Sequence, residues 1–223
     1  MKNIAIIVCS GIGKRMGSNI PKQFIKINNK PIVCYTIEKF ENCNDIDEII
    51  IVTNKEYLDY FKNDIINIYN YKKITKIVEG GEERLNSVYN GINNINNINN
   101  KDSIVVIHDG VRPFIDEKSI TDVIENASIY SGCILAVKAK DTIKICNNDF
   151  IESTPNRDNV YLAQTPQAFK YSLIKEAYDY IIKNNIFVTD DASVIESFGQ
   201  KVKIIEGSYN NIKITTKEDL KFF

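Results

Sequence analysis

One short segment gathers a backbone cradle and positive charge: Ser10-Gly11-Ile12-Gly13-Lys14-Arg15-Met16-Gly17, with Lys22 following the turn at Pro21. Glycine lets the main chain approach a phosphate closely, and the N–H groups of such a loop, with the end of a following helix, suit an anion. It is not a P-loop, which needs two glycines flanking four residues ahead of Lys-Ser/Thr, because Gly13-Lys14 is followed by Arg15. It is not a dinucleotide fingerprint either. Met16 stands where the helix-packing glycine belongs, and the second strand ends in Thr53-Asn54 without an acid for a ribose. Glycines beside Lys14, Arg15 and Lys22 point instead to a triphosphate. The plainer readings are a tight strand-to-helix turn for the glycines and solvated surface charge for the cations.

Asp109 stands at the end of an apolar run, where a carboxylate can hold a magnesium–phosphate assembly or a sugar hydroxyl, or simply cap a turn. His108, the only histidine, adjoins it. Neighbours in a strand point to opposite faces, so His108 is expected to pack or to support rather than to form a His-Asp catalytic pair. One histidine and no obvious activated nucleophile argue against hydrolases of the Ser-His-Asp type. A phosphate monoester as nucleophile removes that difficulty, being ionised at neutral pH without a general base. Catalysis then reduces to placement and to charge neutralisation by Lys, Arg and Mg²⁺.

The elements that must position these residues show in the apolar pattern. Runs rich in β-branched residues at 4–8, 48–52, 74–78, 103–107, 133–137 and 202–205 predict strands, with stretches of helical length and period between most of them. Such alternation predicts an α/β fold, a mostly parallel sheet with helices on both faces, whose ligands sit at the carboxyl ends of the strands. The loops there are the glycine loop, Glu79-Gly80-Gly81-Glu82-Glu83-Arg84 and His108-Asp109-Gly110-Val111-Arg112-Pro113. Segment 138–160, with a polar turn at Asn147-Asn148-Asp149, predicts a projecting β-hairpin. The Ile-Asn-Asn tract at 92–100 reads as a helix end and surface loop, without function.

The chain of 223 residues is the size of one domain, 1–223, with the hairpin as its appendage. Its 28 Lys and Arg against 29 Asp and Glu leave a net charge of −1, so no basic field is present to hold nucleic acid or anionic lipid. No apolar run approaches the roughly 20 residues of a membrane span, and the first strand is too short for a signal-peptide core; a cytoplasmic protein is expected. Cys9, Cys34, Cys43, Cys133 and Cys146 contain no Cys-x-x-Cys pair, which disfavours a disulfide scaffold and a zinc site and leaves each expected in a core.

Taken in order, Gly11-Ile12-Gly13-Lys14-Arg15-Met16-Gly17, Pro21-Lys22-Gln23, Gly80-Gly81-Glu82-Glu83-Arg84 with Ser87-Val88, and His108 to Pro113 resemble the sugar-phosphate cytidylyltransferases. Lys140-Asp141-Thr142-Ile143-Lys144, Asn156-Arg157, Gln164-Thr165-Pro166-Gln167, Thr189-Asp190-Asp191-Ala192-Ser193 and Asn211-Ile212-Lys213-Ile214-Thr215 extend the likeness to about residue 220. Within that family it leans to the enzymes acting on 2-C-methyl-D-erythritol 4-phosphate in the non-mevalonate isoprenoid pathway, over those acting on ribitol 5-phosphate. The alternative from another class is a nucleotide-binding module without turnover, which would not need cations at both the α-phosphate and the acceptor.

The resemblance implies a Rossmann-like nucleotidyltransferase fold and a dimerisation arm at about 138–160 that joins two copies in a homodimer and completes the partner's site. It implies CMP transfer from CTP to the sugar-alcohol phosphate with release of pyrophosphate, and Mg²⁺ as cofactor, with Asp109 near the metal and the sugar hydroxyls. By the same resemblance Arg15 and Lys22 would neutralise the triphosphate, while Lys213 and Arg157 would position the attacking phosphate. Arg157 and Thr142 would come from the neighbouring arm. Ser10, Gly11, Gly13 and Lys14 would bind the nucleotide, Gly81 and Ser87 would recognise cytosine, and Arg112 and Thr165 would line the substrate side. Arg84 is as suited to a structural ion pair as to a ligand. Three departures stand out: Cys9-Ser10 replace small apolar residues, Asn210 replaces an acid, and the terminal helix is short.

Overall fold

In β1 (Asn3–Val8) every second side chain turns to the same layer: Ala5 and Ile7 join one core, Ile4 and Ile6 the other, and all four are buried. A strand covered on both faces must be apolar at successive positions, which is why these strands read as unbroken runs. The computed structural model describes residues 1–11, 20–96 and 102–223. After β1 come two short strands, β2 (Lys26–Ile27) and β3 (Lys30–Pro31), then α1 (Ile32–Asn42) and β4 (Glu48–Thr53). Short α-helical turns α2 (Leu58–Tyr60) and α3 (Asn67–Tyr69) flank a π-helical stretch, Phe61–Ile66. Then follow β5 (Ile74–Glu79), α4 (Arg84–Asn93), β6 (Ile104–Asp109), α5 (Glu117–Tyr130) and β7 (Gly132–Lys138). The chain continues through β8 (Ile145–Asn147), β9 (Phe150–Ser153), β10 (Tyr161–Lys170), α6 (Tyr171–Asn184), α7 (Asp191–Ser197) and β11 (Lys203–Glu206).

Seven strands form one sheet in the order β11-β7-β10-β6-β1-β4-β5. β1 pairs in parallel with β4 and β6, β4 with β5, and β7 with β11. β10 runs antiparallel between β6 and β7, so the sheet is mostly parallel as expected, with one reversed strand that the apolar pattern did not predict. Gln164, Pro166 and Gln167 break its hydrophobic run, and the register against β7 shifts between Ala163 and Gln167, where the ladder gives way around Pro166.

Helices α1 and α5 with Phe61 and Ile65 cover one face, and α4, α6 and α7 the other. Two of them start on carboxylates: Asp116 accepts from the Ser119 N–H at 2.7 Å, and Asp190 from Ser193 N–H at 2.9 Å, with Ser193 Oγ returning to the Asp190 N–H at 3.0 Å.

The hairpin expected within 138–160 is the antiparallel pair β8 and β9, turned at Asn148 and Asp149 with positive φ. Both strands are exposed throughout. Cys146 lies there, so the expectation of a core residue fails for it, because a two-stranded ribbon has no second layer to bury it; the other four cysteines are buried. The expected helix end at 92–93 closes α4, while 97–100 of the Ile-Asn-Asn tract lie outside the described residues. Among the described residues no helix is long and apolar enough to cross a membrane.

Candidate active site

At the carboxyl ends of β1, β5 and β6 lies a cavity of about 210 Å³ whose walls include Ser10, Lys22, Gly81, Arg84, Asp109 and Lys213. Lys22 reaches it from a 3-10 turn, Lys22–Phe24, that is fastened on two sides. Phe24 packs on the rings of Tyr57, Tyr60 and Phe61 at 4.7, 5.0 and 5.5 Å. Gln23 donates Nε2–H bonds to the carbonyls of Cys9 at 2.6 Å and Gly11 at 3.1 Å, tying the loop after β1 to this turn. Lys22 is thereby presented to the cavity while almost wholly buried.

Asp109 ends β6, inside the strand rather than after it, and is met by three cations. Lys213 Nζ lies 2.8 Å from Oδ2, Arg84 Nε 3.2 Å from Oδ1 and Arg112 Nε 3.6 Å from Oδ2. Burial alone would raise the pKa of this carboxyl, but Arg84, Lys213 and Arg112 outweigh it and hold Asp109 far below the usual carboxylate range. Arg84 also grips the fully buried Asp191 with both terminal nitrogens, at 3.1 and 2.7 Å, and Tyr178 donates its hydroxyl to the same carboxylate at 2.5 Å. Burial opposes the charge on Arg84, yet Asp191 and Asp109 hold its pKa well above the ordinary value. With Arg84 matched to Asp191, Lys213 and Arg112 exceed what Asp109 can neutralise, so the cluster keeps positive charge for an anionic ligand.

Beneath Asp109 runs a directed chain of hydrogen bonds. The Asp109 N–H donates to Thr165 Oγ1 at 3.1 Å, Thr165 Oγ1 lies 3.1 Å from His108 Nδ1, and His108 Nε2 lies 3.2 Å from the Arg112 carbonyl. A carbonyl only accepts, so Nε2 carries the ring proton and Nδ1 accepts from the threonine hydroxyl. Burial pushes the His108 pKa down to about 3, keeping the ring neutral. The expectation of a packing and supporting histidine holds. Gly110 follows because a Cβ there would fall 2.4 Å from Cys9 Sγ; burial first, then Asp109, pushes the Cys9 thiol far up, which makes Cys9 a packing residue.

Lys213 sits in an irregular segment pinned from three directions. Ile214 N–H donates to the Val111 carbonyl at 2.9 Å, Asn211 Nδ2 to the Thr165 carbonyl at 2.8 Å, and Arg112 Nη1 to the Asn211 carbonyl at 2.8 Å.

The expected site residues thus divide. Ser10, Gly11, Lys22, Gly81, Asp109 and Lys213 line one cavity. Thr165, Arg112 and Ser87 do not line it: Thr165 supports Asp109 from below, Arg112 braces the Lys213 segment, and Ser87 is fully buried behind Ser10. Arg84, for which an ion pair and a ligand contact were both open, pairs with Asp109 and Asp191 and also lines the cavity. Thr142 and Arg157 are exposed on the hairpin segment, where Arg157 Nη1 donates to the Lys140 carbonyl at 2.9 Å, and neither lines the cavity. Gly13, Lys14 and Arg15 lie outside the described residues. Gln23, Asp191, Tyr178 and Asn211 were not singled out from the sequence as site residues, although three of them stood inside the strings that carried the resemblance.

Both oxygens of Asp109 already face cations. Among the described residues no group of three or more His, Cys, Asp or Glu could hold a metal. This donor set does not fit a magnesium ion held by the protein at Asp109.

Residues 3–222 match the family model described as IspD, 2-C-methyl-D-erythritol 4-phosphate cytidylyltransferase. A relative of that name from Clostridium perfringens (strain SM101 / Type A) is 47% identical over 220 residues, covering 98% of this chain and 96% of its own. One from Alkaliphilus oremlandii is 48% identical, covering 98% of this chain and 92% of its own. Among solved structures, 4-diphosphocytidyl-2C-methyl-D-erythritol synthase from Anaerococcus prevotii superposes with a TM-score of 0.86 at 37% identity, covering 99% of this chain and 94% of that one. The 2-C-methyl-D-erythritol 4-phosphate cytidylyltransferase of Francisella tularensis gives 0.85 at 37% identity, covering 100% and 98%.

Proposed function

The chain belongs to the 2-C-methyl-D-erythritol 4-phosphate cytidylyltransferase family, and from that premise we propose that it transfers CMP from CTP to 2-C-methyl-D-erythritol 4-phosphate, releasing pyrophosphate, as a step of non-mevalonate isoprenoid synthesis. The observation that carries this reading in the molecule itself is Lys22 and Lys213 on the walls of one cavity with the backbone of Gly11 and Gly81. The acceptor phosphate is already a nucleophile, so the protein has to bring two anions together and hold them in line. Lys22 neutralises the triphosphate as pyrophosphate departs, and Lys213, poised on Asp109, turns to the acceptor phosphate. Arg15 and Lys14, with Gly13, complete the triphosphate cradle in this reading. Ribitol 5-phosphate is the acceptor that the family match does not favour.

Magnesium enters with the nucleotide as its phosphate complex, since Asp109 on the cavity wall already faces three cations. The hairpin is the dimer contact: Phe150 is 79% exposed and Ile151 62%, an apolar tip that a second copy of the chain would cover, delivering Thr142 and Arg157 to its neighbour's cavity. The five cysteines are free, in keeping with the reducing cytoplasm in which CTP is made.

Pyrophosphate release by the purified protein with CTP and Mg²⁺ tests the assignment. Turnover with 2-C-methyl-D-erythritol 4-phosphate alone is expected. Turnover only with D-ribitol 5-phosphate would move the protein to polyol phosphate activation, and CTP binding without pyrophosphate release to either acceptor would make it a binding module.

A further inference from the structure

Lys213 stands in a segment that is neither helix nor strand, so no regular element sets the direction of its side chain. Its neighbours do. Ile214 is fully buried in a small apolar cluster with Ile32 and Val111, and Ile212, Phe114 and Leu220 pack against it. With Ile212 and Ile214 seated in that cluster on either side of it, Lys213 is left to face Asp109 and the cavity. Swinging the lysine away would draw the two isoleucines out into water, and that cost fixes its direction.

Beyond Ile214 the chain is held by Asp219. One carboxylate oxygen, Oδ2, accepts from the Thr215 N–H at 2.7 Å, the Thr216 N–H at 2.8 Å and the Thr215 hydroxyl at 3.0 Å. Asp219 belongs to the 3-10 turn Glu218–Phe222, which also carries Leu220 to the cluster. The turn is closed by the Asp219 N–H on the Thr216 carbonyl at 3.3 Å and the Leu220 N–H on the Lys217 carbonyl at 3.2 Å. Burial would raise the pKa of the Asp219 carboxyl, but the bonds from Thr215 and Thr216 outweigh it and lower it, so the group is a charged acceptor at neutral pH.

We propose that Asp219 is a positioning residue for Lys213: by closing the chain from Thr215 to Leu220 into a clamp, it keeps Ile214 seated and the ammonium group of Lys213 against Asp109, ready for the acceptor phosphate. Asp219 does not line the cavity, so its effect on the reaction passes through Lys213. The proposal rests on the reading of Lys213 as the lysine that meets the acceptor, and deepens it by assigning the placement of that lysine to a carboxylate outside the cavity. Placement matters because a shift of about 1 Å in a reacting geometry costs up to about 10²-fold in rate.

The test is a double-mutant cycle on pyrophosphate release from CTP with 2-C-methyl-D-erythritol 4-phosphate and Mg²⁺. Asp219→Ala is expected to lower kcat/KM for the acceptor about tenfold or more in the wild-type background, and by less than about twofold in Lys213→Ala, where the lysine it positions is gone. Asp219→Asn offers one oxygen that can take the same three bonds and is expected to stay within about threefold of wild type. Equal losses from Asp219→Ala in both backgrounds, the mark of a turn that only stabilises the protein, would overturn the proposal. So would an Asp219→Ala rate within about twofold of wild type, or a loss in Asp219→Asn as large as in Asp219→Ala. Hydrogen exchange at the Ile214 amide, which donates to the Val111 carbonyl at 2.9 Å, reads the same clamp without turnover. It is expected to quicken about tenfold or more in Asp219→Ala while the amides of β1 keep their rates. If the wild type releases no pyrophosphate, or Lys213→Ala matches its rate, the proposed function or its use of Lys213 fails separately, and this exchange decides: unchanged protection of Ile214 then overturns the role of Asp219.

Discussion

Lys213 Nζ lies 2.8 Å from Asp109 Oδ2, although the two residues come from a strand end and an irregular segment more than a hundred residues apart. The contact holds an ammonium group on the cavity wall in a chosen position, sharing one carboxylate with Arg84 and Arg112. In the proposed reaction an incoming phosphate dianion would need only to draw Lys213 from Asp109, which would stay compensated by the two guanidinium groups. Preorganised charge of this kind is available before the reaction starts.

Replacing either lysine should therefore remove turnover while leaving the fold. Lys213→Ala and Lys22→Ala are each expected to lower kcat by about 10²- to 10³-fold, the usual effect of losing one transition-state charge contact. Steady-state pyrophosphate release, with far-UV circular dichroism as the control for folding, measures this. A rate within a few-fold of wild type in one variant would take that lysine out of the mechanism.

Arg84 is expected to behave differently, because Asp191 is fully buried and depends on it for charge compensation. Arg84→Met keeps part of the apolar stem but strands that carboxylate, and should destabilise the protein by about 3 kcal/mol in urea unfolding. Adding Asp191→Asn removes the stranded charge and should recover more than half of the loss. A double variant no more stable than the single one would mean that the ion pair is not what holds α7 to the site.

The only histidine gives a clean pH signature. In the folded protein its pKa falls to about 3 from an ordinary value of 6.5. Between those two values the unfolded chain binds more protons than the native one, so this contribution rises with pH and is lost as the pH falls from 6.5 toward 3. The change between pH 7 and pH 5 is about 2 kcal/mol, from the same linkage. Urea midpoints for the wild type and His108→Asn should show it as a difference in slope across that window, whatever the absolute stability of the variant. Parallel curves would place His108 in contact with water.

Much of this molecule could be read before its structure, and the exceptions have physical causes. Strands such as β1 and β4 are buried on both faces, so their composition alone reveals them, and the glycine and cation strings stand at strand ends where ligands bind. β10 was hidden because its central residues serve the site rather than the core: Gln167 caps Ala192 N–H at 2.9 Å and Thr165 supports Asp109. Gln23 and Asn211 escaped for a related reason. They act by bonding to backbone carbonyls of distant segments, and a neutral amide in a loop carries no sequence signal of such a partner. Ser87 was expected to help recognise cytosine; it is fully buried, and its hydroxyl bonds to Ser10 and to the start of its own helix, partners that its position in the sequence does not reveal.

The exposed hairpin makes the last prediction, and it separates arm exchange from a self-contained monomer. If Arg157 serves the neighbour's cavity while Lys213 serves its own, Lys213→Ala and Arg157→Ala carry their defects in different halves of each site. Either variant alone has every site damaged. In a mixed dimer one site collects both defects and the other has neither. Co-refolding equal amounts should then restore about a quarter of wild-type activity, since random pairing gives half mixed dimers with one intact site in two. Mixing without unfolding should restore it only as fast as subunits exchange. Failure to recover above the sum of the two variants, with dimers present by sedimentation, would place Arg157 in the cavity of its own chain or outside the reaction altogether.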